Sequence, residues 1–142
     1  MGIKGRVTVV ILTLLMVASL AGCGYGPHSV SHSWSARGVN SDVERDYWII
    51  NATSINGHTT RRLELSAAEI GALHVQSSNR AGGITVTLTQ GDTVEVFDVS
   101  TSFDGLLDTG AFEGGRIRIR VDFDRAEGIE FHASWIVARS AR

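Results

Sequence analysis

The chain has 142 residues, with 13 basic and 15 acidic side chains, 43% hydrophobic residues and a single cysteine. This length suits one domain, and the slight excess of acidic residues excludes the basic surface that binds nucleic acid. One cysteine excludes an intramolecular disulfide, so a hydrophobic core must stabilise the fold.

The first 22 residues have the layout of an export signal. Lys4 and Arg6 precede an apolar run from Val7 to Leu20. This run is shorter than the roughly 20 apolar residues that a transmembrane helix needs, and small residues follow it. We therefore predict that residues 1–22 form a signal helix that is removed on export.

The apolar run ends in the sequence Leu-Ala-Gly-Cys, whose last residue is Cys23. These four residues resemble the lipobox of bacterial lipoproteins. The resemblance implies that a diacylglycerol is attached to the Cys23 thiol and that the signal is cut just before this residue. Palmitate-like acyl chains would then hold the protein at the extracytoplasmic face of the cell membrane, at about 0.8 kcal/mol per buried methylene. The alternative is an uncleaved anchor helix.

Cleavage before Cys23 would leave residues 23–142 with 11 basic and 15 acidic side chains, because Lys4 and Arg6 are removed. No lysine then remains for Schiff-base or general-base chemistry. Residues 23–38 are rich in glycine and serine and contain Pro27, the only proline. This composition predicts a flexible, lipidated tether. Trp34 is expected to dock on the domain, with insertion among lipid headgroups as the alternative.

The first half of the domain, which we place at residues 39–142, contains signals for strands and turns. Residues 44–54 are rich in β-branched and aromatic side chains, and Asn56-Gly57 follows them. This dipeptide is typical of a hairpin turn, so residues 59–65 are predicted to form the returning strand. A Ser-x-x-Glu sequence from Ser66 predicts a helix N-cap and at most one helical turn.

The second half of the domain alternates between apolar and polar residues. Residues 116–124 predict a strand, residues 125–128 a turn, and residues 129–137 a second strand that places Trp135 in the core. Shorter strands are predicted at 73–77, 84–89, 93–100 and within 102–115. Seven or eight short antiparallel strands indicate an all-β fold, an antiparallel β-sandwich of jelly-roll-like form.

Three segments of the domain, NATSINGH, TTRRLEL and FHASWIV, occur in this order after the glycine- and serine-rich spacer. This layout is similar to that of small uncharacterised surface lipoproteins of Gram-positive bacteria. The resemblance implies a β-sandwich on the cell surface. It implies no activity, because none is known for that group.

No catalytic or metal-binding pattern in the sequence defines a site. There is no G-x-S-x-G sequence, and acylation would leave no free cysteine. Asp122 and Asp124 lie about 7 Å apart on one strand, a spacing that could serve glycoside hydrolysis. Arginines share their strand face, so charge pairing explains them better. His28 and His32 would converge only on a helix, and we expect no metal and no cofactor.

Arg116, Arg118 and Arg120 form a row on one strand and are the candidate ligand-binding face, with His132 expected beside them across the predicted hairpin. Arginine side chains bind carboxylate and phosphate groups. The alternative is that this row only pairs with neighbouring acidic residues.

These observations lead us to expect a non-catalytic surface lipoprotein. Its expected partners are the membrane, through the lipid anchor, and an envelope glycan or protein. The alternatives are a small envelope hydrolase acting on glycan and an accessory subunit of a surface complex.

Overall fold

A computed structural model describes residues 30–137 of the chain. The strands are β1 (Val30–Arg37), β2 (Asn40–Val43), β3 (Tyr47–Leu65), β4 (His74–Ser78), β5 (Ala81–Gln90), β6 (Thr93–Asp98), β7 (Ser102–Leu106) and β8 (Gly115–Ser134), with one short helix, α1 (Ala67–Gly71). The predicted signal segment, 1–22, and the predicted lipidation site, Cys23, lie outside the described residues. Within residues 30–137 no helix has the length and apolar character to cross a membrane.

All strand pairs are antiparallel, and the fold is the all-β sandwich that the sequence predicts, with eight strands. Two long strands, β3 and β8, pair along nearly their whole length and take part in both layers. The first layer has the order β2-β3-β8-β4-β7, and the second has the order β1-β3-β8-β5-β6. Each layer therefore contains one half of β3 and one half of β8.

The two predicted hairpin turns are instead bends within the two long strands. Asn56-Gly57 lies in the middle of β3, where the register with β8 shifts between Ile55 and Gly57. Residues 125–128 lie in the middle of β8, with positive φ angles at Arg125 and Gly128. The hairpin predictions at both places are wrong. Both segments contain residues that favour positive φ angles. A bulge in the middle of a strand requires such residues as much as a turn does.

The two bends lie against each other. Ile55 pairs with Ala126, and the Arg125 backbone N–H donates to Asn56 Oδ1 over 3.2 Å. The two long strands therefore bend at paired positions. Beyond the bend, both strands continue in the other layer. This shared bend closes a single extended sheet around one core.

The core contains the inward-facing side chains of both layers. The predicted inward positions of β8, its alternating apolar residues, are buried, and so are those of β5. Trp48 and Phe131 contact each other edge to face, with ring centroids 6.2 Å apart. Trp135 is 1% exposed, which confirms its predicted core position, whereas Val137 is 43% exposed because β8 has already ended.

The predicted tether of residues 23–38 is wrong for residues 30–37, which form β1 and pair with β3 over their full length. Trp34 packs against the core as expected, with its ring 6.2 Å from that of Phe123 in edge-to-face contact. The His32 ring stacks on Trp34 at 4.4 Å. The aromatic residues of this segment therefore belong to the sandwich, and the tether prediction stands only for residues 23–29, outside the described part.

Arg61 joins the two layers at one end of the core. Its side chain is 2% exposed and lies over the Trp135 ring, 4.9 Å from the ring centroid. Its guanidinium donates hydrogen bonds to the backbone carbonyls of Tyr47 (2.9 Å) and Glu44. Burial lowers the pKa of Arg61, although an arginine keeps its charge at any physiological pH. A buried cation thus binds the β2–β3 connection to the core.

The helix α1 begins as the sequence predicts. Ser66 is its N-cap, and Ser66 Oγ accepts a hydrogen bond from the Glu69 backbone N–H over 3.1 Å. The helix ends within two turns, and its buried residue is Ile70. The Ile70 carbonyl accepts a hydrogen bond from Thr109 Oγ1, which fixes the loop before β8 to the helix.

Candidate ligand-binding groove

The outer face of the first layer contains a groove of about 480 Å³ that is open to solvent. Strands β3, β8, β4 and β7 form its floor, and the side chains that point into it come from alternate positions of these strands. The outward-facing residues are Ile49, Asn51, Gln76, Ser78, Ser102, Asp104, Glu130 and His132.

Strand register arranges these side chains in two parallel rows. The first row runs Ile49, His132, Gln76 and Asp104, and the second runs Asn51, Glu130, Ser78 and Ser102. Neighbouring strands lie about 4.8 Å apart, and successive outward residues of one strand lie about 7 Å apart. The groove floor is therefore a regular grid of side chains, all of them polar except Ile49.

Most of the polar side chains on this floor have unused hydrogen-bonding capacity. Within residues 30–137, the side chains of Asn51, Gln76, Ser78 and Glu130 take part in no hydrogen bond or ion pair. Together they offer amide, hydroxyl and carboxylate groups, which donate and accept in several directions. A ligand rich in hydroxyl groups could satisfy them.

Aromatic and charged side chains border the groove. The Tyr47 ring meets the His132 ring edge to face at 6.1 Å, and Tyr47 Oη donates a hydrogen bond to Asp42 Oδ2 at 3.0 Å. That hydrogen bond, which favours the protonated phenol, raises the pKa of Tyr47. On the same border, across Ser134 from Tyr47, His74 Nε2 lies 2.8 Å from Asp104 Oδ1. This border is thus formed by side chains that already have partners.

The structure separates the residues of the candidate face predicted from the sequence. Arg116, Arg118 and Arg120 are exposed on the outer face of the second layer, whereas His132 is on the outer face of the first. The expected grouping of His132 with the three arginines is wrong, because the hairpin that would bring them together does not exist. His132 belongs to the groove instead.

The carboxylate pair considered for catalysis has a structural explanation. Arg120 Nε and Nη2 donate to Asp122 at 2.9 to 3.0 Å, a two-pronged ion pair on the strand surface. Asp124 lies 3.5 Å from Arg125 Nε. In the part of the chain that the structure describes, no three His, Cys, Asp or Glu side chains are grouped to hold a metal ion.

The groove could not be read directly from the sequence, because its residues come from four segments between positions 49 and 132. The available signal was weak, because alternation of apolar and polar residues predicted an outward polar side for only one of these segments, residues 129–137. Strand order decides which outward faces lie next to one another. The strand order was not predicted, because the two bends in β3 and β8 had been interpreted as turns.

Comparisons with known proteins give distant structural similarity only. No family model matches the chain, and no curated protein matches it. A solved structure of TmCBM61, a carbohydrate-binding module in complex with β-1,4-galactotriose, is 17% identical, with a TM-score of 0.40 over 79% of this chain and 87% of that chain. The Lactobacillus farciminis oxalate decarboxylase formate complex is 14% identical, with a TM-score of 0.27 over 82% of this chain and 36% of that one. Similarity at this level carries no argument about function.

Proposed function

We propose that this protein is an exported lipoprotein, anchored through Cys23 at the extracytoplasmic face of the cell membrane, whose sandwich binds an envelope glycan without catalysis. One observation carries the binding part of the proposal: the groove presents four polar side chains, those of Asn51, Gln76, Ser78 and Glu130, that have no hydrogen bond or ion pair within the described residues. The lipobox resemblance of Leu20 to Cys23 carries the anchoring part.

A glycan fits the chemistry of the groove better than the other envelope ligands do. Sugar hydroxyls donate and accept hydrogen bonds, as the amides of Asn51 and Gln76 do. The carboxylate of Glu130 repels phosphate and carboxylate groups, so an anionic polymer is a poor ligand. The Tyr47 ring, about half-buried beside His132, supplies an apolar surface for a sugar ring.

Replacing Glu130 by Ala should weaken glycan binding about tenfold or more, because a hydrogen bond to a charged group contributes about 1.5–3 kcal/mol. The measurement is calorimetric titration with the best saccharide from a panel of soluble envelope oligosaccharides. Glu127→Ala is the matched control, since Glu127 is exposed on the same strand but does not line the groove. A panel without a single binding saccharide, or equal affinity of Glu130→Ala and the parent, would overturn glycan binding in the groove.

Replacing Cys23 by Ser should prevent lipid attachment and release the protein from the membrane without unfolding the domain. The described core residues lie between positions 48 and 135, far from this residue in sequence. Intact mass of the membrane-extracted protein checks the parent: a chain that begins at Cys23 with added acyl mass is expected. An unmodified chain that retains Met1, or a Cys23→Ser variant that still carries lipid, would contradict the anchor.

A further inference from the structure

Glu130 stands in one row of the groove between two neutral hydrogen-bonding side chains. It is directly opposite Asn51 on β3 and directly opposite Ser78 on β4. Residues at directly opposed positions have Cβ atoms about 4.5–5.5 Å apart, so the three side chains form one compact cluster. Within residues 30–137 none of the three takes part in a hydrogen bond or ion pair. A carboxylate therefore lies between two unused acceptors, an amide oxygen and a hydroxyl oxygen.

The residues that line the groove carry more acidic than basic groups. The described lining has two carboxylates, those of Glu130 and Asp104, one imidazole, that of His132, and no arginine. Asp104 already has a histidine partner at 2.8 Å. Arg80 packs beside Gly128, but it neither lines the groove nor forms an ion pair with Glu130. Of the described carboxylates in the groove, Glu130 is thus the one without a partner.

A protonated amine matches this cluster better than a neutral hydroxyl group or a metal ion does. An ammonium group has three N–H donors and a positive charge, and it meets three acceptors here, one of them charged. A hydrogen bond with an ionised partner is about twice as strong as a neutral one. A sugar hydroxyl group has one donor and no charge. A calcium ion needs several oxygen ligands, and no group of three His, Cys, Asp or Glu side chains exists among the described residues.

On the premise that the groove binds a glycan, we infer that Glu130 selects sugars with a free amino group, so that they bind more tightly than N-acetylated or anionic sugars. The ammonium group donates to the Glu130 carboxylate and, on either side, to Asn51 Oδ1 and Ser78 Oγ. An N-acetyl group has one N–H and no charge, so it leaves two of the three acceptors unpaired. Glu130 is therefore the residue that sets the charge preference of the groove.

Calorimetric titration of the protein at neutral pH with two soluble tetrasaccharides, one of glucosamine and one of N-acetylglucosamine, tests this selection. We expect the glucosamine tetramer to bind about tenfold more tightly. Raising the salt concentration to about 0.5 M should weaken its binding and leave that of the N-acetylated tetramer unchanged, because salt screens only the charged contact.

Glu130→Gln keeps the size of the side chain and removes its charge. This variant should bind the glucosamine tetramer about tenfold more weakly than the parent, so that the affinities for the two tetramers differ by less than about threefold. Glu127→Gln is the matched control, because Glu127 is exposed on the same strand but does not line the groove. It should retain the preference of the parent.

Three outcomes would overturn amine selection while glycan binding in the groove stands or falls separately. Equal or weaker affinity of the parent for the glucosamine tetramer, or an unchanged preference in Glu130→Gln, would overturn the selection and leave glycan binding intact. A tetralysine peptide that binds as tightly as the glucosamine tetramer would also overturn it, because attraction of any polycation to acidic groups would then suffice. If no saccharide of the panel binds, glycan binding itself fails, and the selection fails with it.

Discussion

Replacing Trp135 by Ala should lower the free energy of unfolding by about 3–5 kcal/mol, as large-to-small changes in a core do. The side chain is 1% exposed, its Nε1 donates to the Arg45 carbonyl at 2.9 Å, and the Arg61 guanidinium lies over its ring. The change therefore leaves a cavity, an unpaired carbonyl and a buried cation that has lost its aromatic contact. Urea denaturation followed by circular dichroism gives the measurement.

The next residue provides a matched control for Trp135→Ala. Ile136 is 62% exposed, so Ile136→Ala should change the free energy of unfolding by less than about 0.5 kcal/mol. A loss below about 1 kcal/mol for Trp135→Ala would show that the facing of this segment is wrong. Because Arg61 and Trp135 are in contact, combining Trp135→Ala with Arg61→Met should give a loss that differs from the sum of the two single losses.

The fold class and the facing of β5 and β8 could be predicted from the sequence because both depend on local alternation. Ile117 to Phe123 alternate with charged residues, and burial follows this period. The N-cap at Ser66 was likewise predictable, since it depends only on residues within one turn. These features follow from a period of two residues and from short-range hydrogen bonding.

Strand order could not be predicted, because Asn56-Gly57 and residues 125–128 support two different structures. A hairpin turn and a mid-strand bulge both use residues that tolerate positive φ, and only pairing with distant segments decides between them. In this chain each bend pairs with the other, across about 70 residues of sequence, as the contact between Asn56 and Arg125 shows. The misplaced His132 and the unforeseen groove both follow from that one ambiguity.

β1 was unpredictable for a different reason. Its serine-rich composition is typical of a spacer, and only Trp34 and Ala36 are apolar side chains that pack on the core. Backbone pairing with β3, together with the stacking of His32 on Trp34, holds a segment that composition alone would leave unordered. Tertiary contacts here override the local preference.

The bend in β3 gives the second large expected effect: Gly57→Ala should lower the free energy of unfolding by about 3–5 kcal/mol, through backbone strain and steric overlap together. The φ angle of Gly57 is +132°, and a Cβ built there would lie 2.3 Å from the Ser33 carbonyl oxygen and 2.6 Å from Trp34 Cα. Both contacts are with the backbone of β1, so no side-chain rotation can relieve them. Either β1 separates from β3 or the bend changes, and Trp34 loses its packing in both cases.

Gly115→Ala separates the two causes, because Gly115 has a nearly equal φ of +138° but nothing within 4 Å of its Cβ position. Gly115→Ala should therefore show the strain alone, and Gly57→Ala should lose about 1–3 kcal/mol more in urea denaturation. Trp34 fluorescence should also change in the native state of Gly57→Ala and not in that of Gly115→Ala. Equal losses for the two variants would mean that β1 does not pack closely on the bend. The sandwich would then hold its two layers together through β3 and β8 alone.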